Sequence, residues 1–172
     1  MKSLSLLHYA DRRLKQNAND VAQFDDNLKS LVAAMMEAMH RLHLISICAP
    51  QVGIPERILI IPDQKAQPLI MINSQIVQGE DEAFAEEESN IFPHIAFNTS
   101  RKKDITVAYN DIHGAVHEQH FTDNAAILIQ QHLDHFKGKL LVDFMSALKK
   151  ERFLKQYDKM IAEGACHHGC SH

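Results

Sequence analysis

The chain has 172 residues, of which 45% are hydrophobic and 23% charged, and this composition predicts one soluble globular domain. A formal net charge of -4 argues against nucleic acid or an anionic membrane as the main partner. The apolar runs are too short to cross a bilayer, and no apolar core of signal-peptide length follows the first residues. Because three cysteines are an odd number, we expect no disulfide framework and a cytoplasmic location.

The first third of the chain predicts one helix and one strand. After an irregular stretch over residues 4–24, a helix begins at Asp25 or Asp26, since either carboxylate can cap it. Apolar side chains then recur at intervals of three and four, which is the helical period. They are Leu28, Leu31, Val32, Met35, Met39 and Leu42. Residues 58–61 are rich in β-branched side chains and predict a buried strand.

A sharp turn before that strand holds a polar side chain among apolar neighbours. Gln51 lies between Pro50 and Gly53, where the backbone must change direction. One interpretation is a hydrogen bond from Gln51 to the local backbone. The other is a hydrogen-bond donor aimed at the carbonyl group of a substrate, as sites that stabilise an oxyanion require.

Further strands are predicted in the middle of the chain. Residues 69–77 and 105–109 have strand composition, and the turn at residues 110–114 leads into another strand ending at Phe121. The acidic residues between positions 80 and 88 indicate mostly a solvated face or loop.

Asp123 is predicted to cap a central helix that runs to about residue 136 and stops before Gly138. The helix carries His132 and His135, which lie three positions apart and therefore share one face of the helix. Polar groups that converge on one side of a buried helix are typical of a metal site.

The end of the chain predicts a last helix and a short tail. Ser146 caps the helix, and Gly164 ends it. Residues 165–172 contain two cysteines and three histidines, which together could chelate a soft divalent ion. The predicted fold class is α+β: one domain over residues 1–164, with short antiparallel strands around a central buried helix and further helices near both termini.

Three motifs resemble those of the peptide deformylases, over a stretch from Leu6 to about Leu154. Residues 46–53 read S-I-C-A-P-Q-V-G, similar to the family's G-Φ-A-A-P-Q-x-G. Residues 88–92 read E-S-N-I-F, similar to E-G-C-L-S, and residues 130–135 read Q-Q-H-L-D-H, similar to Q-H-E-x-D-H. The resemblance implies a peptide-deformylase-like fold and a metallohydrolase family that acts on N-formylmethionyl peptides.

The resemblance also implies site residues. The family's Cys and two His metal ligands fall at Asn90, Gln131 and His135, and its acid/base Glu falls at His132. Gln51 matches the family's oxyanion glutamine, so Gln51 and His132 stand at the catalytic positions. Positions expected to contact substrate are Ser46, Gly53, Ile91 and Arg101.

Only His135 of the four metal and acid/base positions keeps the family's residue. Asn90 and Gln131 offer neutral carbonyl oxygens where the family offers a thiolate and an imidazole, and both charge and softness then act against Fe(II) or Zn(II). Without a metal, bound water is not acidified to a pKa of about 7. Losing the acid/base carboxylate would cost a further ~10²- to 10⁴-fold in rate.

Two functional hypotheses follow. In the first, the chain keeps the fold and the binding of peptide N-termini but does not hydrolyse formyl peptides, and it needs no metal cofactor. In the alternative, it is an active peptide deformylase or related N-acyl hydrolase with a rearranged site. That site would use one divalent ion, Fe, Zn or Ni. The ion would be held by His132 and His135 with Asn90 or His94 as a third group, or by thiolates of the tail. A weaker third hypothesis makes the tail a metal carrier.

Overall fold

The computed structural model describes residues 3–63 and 65–163 and shows an α+β fold built on one five-stranded antiparallel sheet. Its strands are β1 (Ile47–Cys48), β2 (Ile58–Pro62), β3 (Pro68–Ser89), β4 (Phe92–Asn110) and β5 (Val116–Thr122), paired in chain order. Its helices are α1 (Asp26–Arg41), α2 (Asp123–Phe136) and α3 (Ala147–Ala162). Short 3-10 helices span Arg12–Lys15, Ala49–Val52 and Leu141–Phe144. The predicted fold class is confirmed.

Helix α1 begins where the sequence predicted. The Asp25 carboxylate accepts a hydrogen bond from the backbone N–H of Leu28 at 3.0 Å, which satisfies one of the free donors at the helix start. The apolar face of the helix, including the fully buried Met35, packs on Ile47, Ile58 and other side chains of one face of the sheet. The abundant methionines of this helix therefore fill the core.

Strands β3 and β4 are much longer than the short strands predicted, with 22 and 19 residues. The acidic stretch at positions 80–88, predicted as mostly solvated face or loop, lies within β3 and pairs with β4 from Glu80 opposite Asp104 to Glu88 opposite Ala96. Burial alternates near its end, because Ala85, Glu87 and Ser89 face inward while Glu86 and Glu88 face solvent. The acidic composition hid this period-two pattern.

Helix α2 packs across the other face of the sheet. Its Ala126, Ile129 and Leu133 share one cluster with Ile105 and Val107 of β4. The N-cap of α2 is Thr122, one residue before the predicted Asp123. Because α2 is apolar toward the sheet, it is held firmly, and its remaining polar residues lie in fixed positions.

Helix α3 closes a third cluster, of aromatic character. Ser146 is its N-cap, as predicted, although the Ser146 side chain makes no capping hydrogen bond. Tyr157 of α3 packs edge-on against Phe92 at the start of β4, with 5.1 Å between ring centroids. Gly164 and the predicted chelating tail at 165–172 lie outside the described residues. Within the described ranges, no helix is long and apolar enough to cross a membrane.

Candidate functional site

The three sequence motifs converge on one place in the fold. Ser46 directly precedes β1, Asn90 lies in the tight turn between β3 and β4, and His132 lies on α2. Asn90 Nδ2 donates to the carbonyl oxygen of Ser46 at 2.9 Å, and His132 Nε2 lies 2.8 Å from Ser46 Oγ. Ser46 therefore joins all three motifs, a role that the sequence did not reveal.

Gln51 lies in the short 3-10 helix after β1 and is fully buried. Its Oε1 accepts a hydrogen bond from the backbone N–H of Cys48 at 3.0 Å, and its Nε2 is buried without a hydrogen-bond partner among the described residues. The side-chain oxygen of Gln51 thus makes the hydrogen bond to the local backbone that the first of the two interpretations predicts. The amide nitrogen remains as a fixed donor, and a buried donor without a partner is costly unless another group uses it.

His132 and His135 lie side by side within the interior, with 6.1 Å between ring centroids. Burial, and secondarily the neighbouring His135, lower the pKa of His132 from 6.5 to about 3. Burial, with Lys15 and Arg101 nearby, lowers the pKa of His135 to about 4. Both rings are therefore neutral at pH 7, and the Nδ1 atom of each has no hydrogen-bond partner in the described structure.

The amide nitrogens at two of the predicted metal positions are committed to protein carbonyl and carboxylate groups. Gln131 Nε2 donates to Glu87 Oε2 at 3.0 Å and to the carbonyl oxygen of Glu88 at 2.9 Å. Asn90 Nδ2 likewise donates a hydrogen bond to the carbonyl oxygen of Ser46. Each amide therefore has only its neutral oxygen left to offer a metal ion.

These residues do not fit the Fe or Zn ion that the resemblance implies. Two neutral amide oxygens and one imidazole lack the thiolate charge and the soft donors that such ions prefer. Among the described residues, no three His, Cys, Asp or Glu side chains are grouped closely enough to hold an ion. Cys48, the cysteine of the first motif, is fully buried, and burial raises the pKa of its thiol far above the ordinary range.

A buried ion-pair network lies behind the site. Arg101 Nε contacts Glu87 Oε1 at 2.5 Å, and Arg101 Nη1 contacts Asp134 Oδ2 at 2.6 Å. The Arg101 and Glu87 side chains are 6% and 1% exposed. Thr99 also hydrogen-bonds Glu87. Sequence reasoning missed Glu87, although its inward position in the alternation of β3 is the signal that could have found it.

Arg101 is therefore engaged with two carboxylates, and a substrate contact by Arg101 stays a prediction that this geometry does not favour. Ile91 is also buried, in the aromatic cluster under α3. Gly53 adopts a left-handed φ of 83°, and a Cβ there would lie 2.6 Å from Arg13 Nη1. Gly53 thus shapes the turn that carries Gln51.

Comparison with known proteins assigns the chain to a family. The polypeptide deformylase family model matches residues 3–151. The chain belongs to the polypeptide deformylase family. A relative named peptide deformylase from Nitrosococcus oceani is 37% identical over 161 residues, 92% of this chain and 96% of the relative. Another from Pseudoalteromonas translucida is 33% identical over the same shares of the two chains. The resemblance seen in the sequence is confirmed.

Solved deformylase structures have the same fold. The structure of a peptide deformylase from Legionella pneumophila gives a TM-score of 0.86 at 28% identity, covering 96% of this chain and 99% of that one. A Synechococcus elongatus peptide deformylase in complex with actinonin gives a TM-score of 0.82 at 29% identity, covering 92% and 87%. The roles of individual residues at the deformylase site stay predictions.

Proposed function

We propose that this deformylase-family protein binds the N-terminal segments of peptides and does not carry out metal-dependent removal of the formyl group. The observation that carries the proposal is the hydrogen bonding of Asn90 and Gln131. Asn90 and Gln131 stand where the resemblance implies two metal ligands. The Asn90 amide nitrogen donates to the Ser46 carbonyl, and that of Gln131 donates to the Glu87 carboxylate and the Glu88 carbonyl.

A free sheet edge supports peptide binding. Among the described residues, strand β1 is the terminal strand of the sheet and its paired neighbour is β2. An extended peptide can add as a strand at the edge away from β2, beside the side chains of Asn90 and Gln51 that bond the Ser46 carbonyl and the Cys48 N–H. Ile45, directly before Ser46, is 75% exposed and offers an apolar contact beside that edge. The buried amide nitrogen of Gln51 is a donor that a carbonyl group of the bound peptide can use once the site opens.

Binding can be measured by isothermal titration calorimetry, with the full chain, a chelator and short peptides beginning with N-formyl-Met. We expect Ile45→Asp to weaken binding by at least about tenfold, equivalent to about 1.4 kcal/mol, because it places a charge beside the β1 edge. Phe84→Asp is the matched control, since Phe84 is 96% exposed on the β3–β4 ribbon. Absence of binding, or equal losses for both variants, would refute the proposal.

The second candidate is an active, metal-dependent peptide deformylase or related N-acyl hydrolase. It is favoured by the 37% identity to a named peptide deformylase over 92% of this chain and by the retained Gln51. The dependence of formate release from N-formyl-Met peptides on a metal ion distinguishes the two candidates. Turnover that is lost with a chelator and restored by Fe(II), Zn(II) or Ni(II) would establish the second candidate and contradict the first.

A further inference from the structure

The contact between Ser46 and His132 has the geometry of a nucleophile and its base. Ser46 Oγ and His132 Nε2 lie 2.8 Å apart although the residues are 86 positions apart in sequence. Both are buried, Ser46 at 4% exposure and His132 at 0%. A serine within hydrogen-bond reach of a neutral imidazole is the arrangement that activates a hydroxyl group for attack.

From this geometry we infer that Ser46 and His132 form a nucleophile–base pair that accepts an acyl group from a substrate without a metal ion. The inference rests on the proposed function, because the acyl donor is the N-formyl group of a peptide bound at the β1 edge. The pair adds an atom that accepts the acyl group, and a base, to a site otherwise proposed only to bind peptides.

The surroundings hold Ser46 in place and supply a donor. Asn90 fixes the carbonyl oxygen of Ser46, and Gln51 is tied to Cys48, two residues after Ser46. Its free Nε2 is therefore anchored in the segment that carries the nucleophile and can stabilise negative charge that develops on a carbonyl oxygen. Ile45, the residue directly before Ser46, is exposed, and Asn90, which bonds the Ser46 carbonyl, is half-buried.

The proposed step is a simple acyl transfer. Ser46 Oγ forms a bond to the formyl carbon while His132 Nε2 takes the hydroxyl proton. The bond from carbon to the peptide nitrogen then breaks, and that proton leaves with the amine. His132 Nε2 then takes a proton from water while the water oxygen forms a bond to the carbon of the formyl ester. The bond from that carbon to Ser46 Oγ breaks, His132 returns the proton to Oγ, and formic acid leaves and ionises to formate.

The step is expected to be slow, because burial lowers the pKa of His132 to about 3 and its ring is therefore a weak proton acceptor at pH 7. For His132 to act as base its proton must be on Nδ1, and Nδ1 has no acceptor among the described residues to hold that tautomer. The described residues therefore include no third group that orients the base, as in the serine–histidine–aspartate arrangement. We expect the acylated protein to accumulate, which makes labelling the sensitive readout.

The test uses a fluorophosphonate probe on the full chain in the presence of a chelator, where a serine–phosphorus bond forms and fluoride leaves. We expect one label per chain, located on Ser46 by peptide mapping. Ser46→Ala should abolish labelling, and His132→Asn should slow it by about 10²- to 10⁴-fold. The matched control is Ser74→Ala, because Ser74 is a fully buried serine whose hydroxyl has no hydrogen-bond partner within the described part of the chain.

Peptide binding, measured in parallel by calorimetry, separates the two proposals. A wild-type chain that binds formyl peptide but takes no label, or takes it elsewhere than Ser46, refutes the dyad and leaves the proposed function intact. A chain labelled at Ser46 that binds no peptide supports a reactive dyad and refutes its proposed substrate. If Ser46→Ala fails to fold, by circular dichroism, Ser46→Gly takes its place, and the mapping in wild type needs no variant.

Discussion

At the scale of single residues, Arg101 is the clearest case of a side chain that the structure needs. It is buried between Glu87 and Asp134, and removing it leaves two carboxylates without their cation. We expect Arg101→Ala to lower the free energy of unfolding by about 3–5 kcal/mol. The control is Lys155→Ala, whose exposed pair with Glu151 should contribute at most about 1 kcal/mol. Urea unfolding measures both, and equal losses would contradict the buried network.

Substitution of the side chains at the predicted metal positions tests whether these side chains prevent metal binding. The triple variant Asn90→Cys, Gln131→His and His132→Glu restores the family's thiolate, imidazole and carboxylate beside His135. We expect it to bind one equivalent of Zn(II) or Fe(II) where wild type binds none tightly, because charge and donor softness are restored. Anaerobic metal titration followed by buffer exchange measures the difference. Tight binding by wild type as well would show that amide oxygens suffice here.

At the scale of elements, the capping of α1 gives a matched pair of variants. Asp25 accepts a hydrogen bond from Leu28 N–H at the start of α1, whereas Ser146 makes no such bond at the start of α3. Asp25→Ala should therefore destabilise the protein by about 0.5–2 kcal/mol, and Ser146→Ala by less. Thermal and urea unfolding compare the two, and a larger loss for Ser146→Ala would contradict the capping assignment.

The buried face of α2 predicts how stability depends on pH. The pKa values of His132 and His135 are lowered in the folded chain to about 3 and about 4, so unfolding takes up protons when the pH is below 6.5. The contribution of the two neutral histidines to the free energy of unfolding is therefore fully present above pH 6.5. It falls as the pH decreases toward 4, by about 1.4 kcal/mol per pH unit for each histidine.

The variant His135→Asn isolates this effect from the carboxylates that titrate in the same range. Urea unfolding at several pH values between 6.5 and 4 should show a slope smaller than that of wild type by about one proton. Identical slopes would mean that His135 is already protonated in the folded protein.

At the scale of the whole molecule, three separate clusters of apolar side chains hold the fold together. Among the described residues, no group of three or more His, Cys, Asp or Glu side chains could hold a metal ion that links these clusters. We expect the thermal midpoint of wild type to be unchanged by a chelator and unchanged by added Zn(II). A ligand that binds only the folded state raises stability by mass action, so an increase with Zn(II) would reveal a metal site.

Much of this fold could be predicted from sequence, and the failures have physical causes. The helix periods, the Asp25 cap and the strand at 58–61 are local patterns, and the structure confirms them. The long β3 was missed because Glu87 is an inward-facing charge whose partners, Arg101, Thr99 and Gln131, are distant in sequence. The contact between Ser46 and His132 depends on how α2 lies across the sheet, which no local pattern reveals.

The most direct test of the central claim combines metal content with turnover. Wild-type protein, purified anaerobically without an affinity tag, would be analysed by elemental mass spectrometry and assayed for formate release from an N-formyl-Met peptide. The account predicts folded protein with well under one equivalent of Fe, Zn or Ni and no chelator-sensitive turnover. One equivalent of metal, with chelator-sensitive turnover that His135→Ala abolishes, would contradict the account and establish a rebuilt metal site.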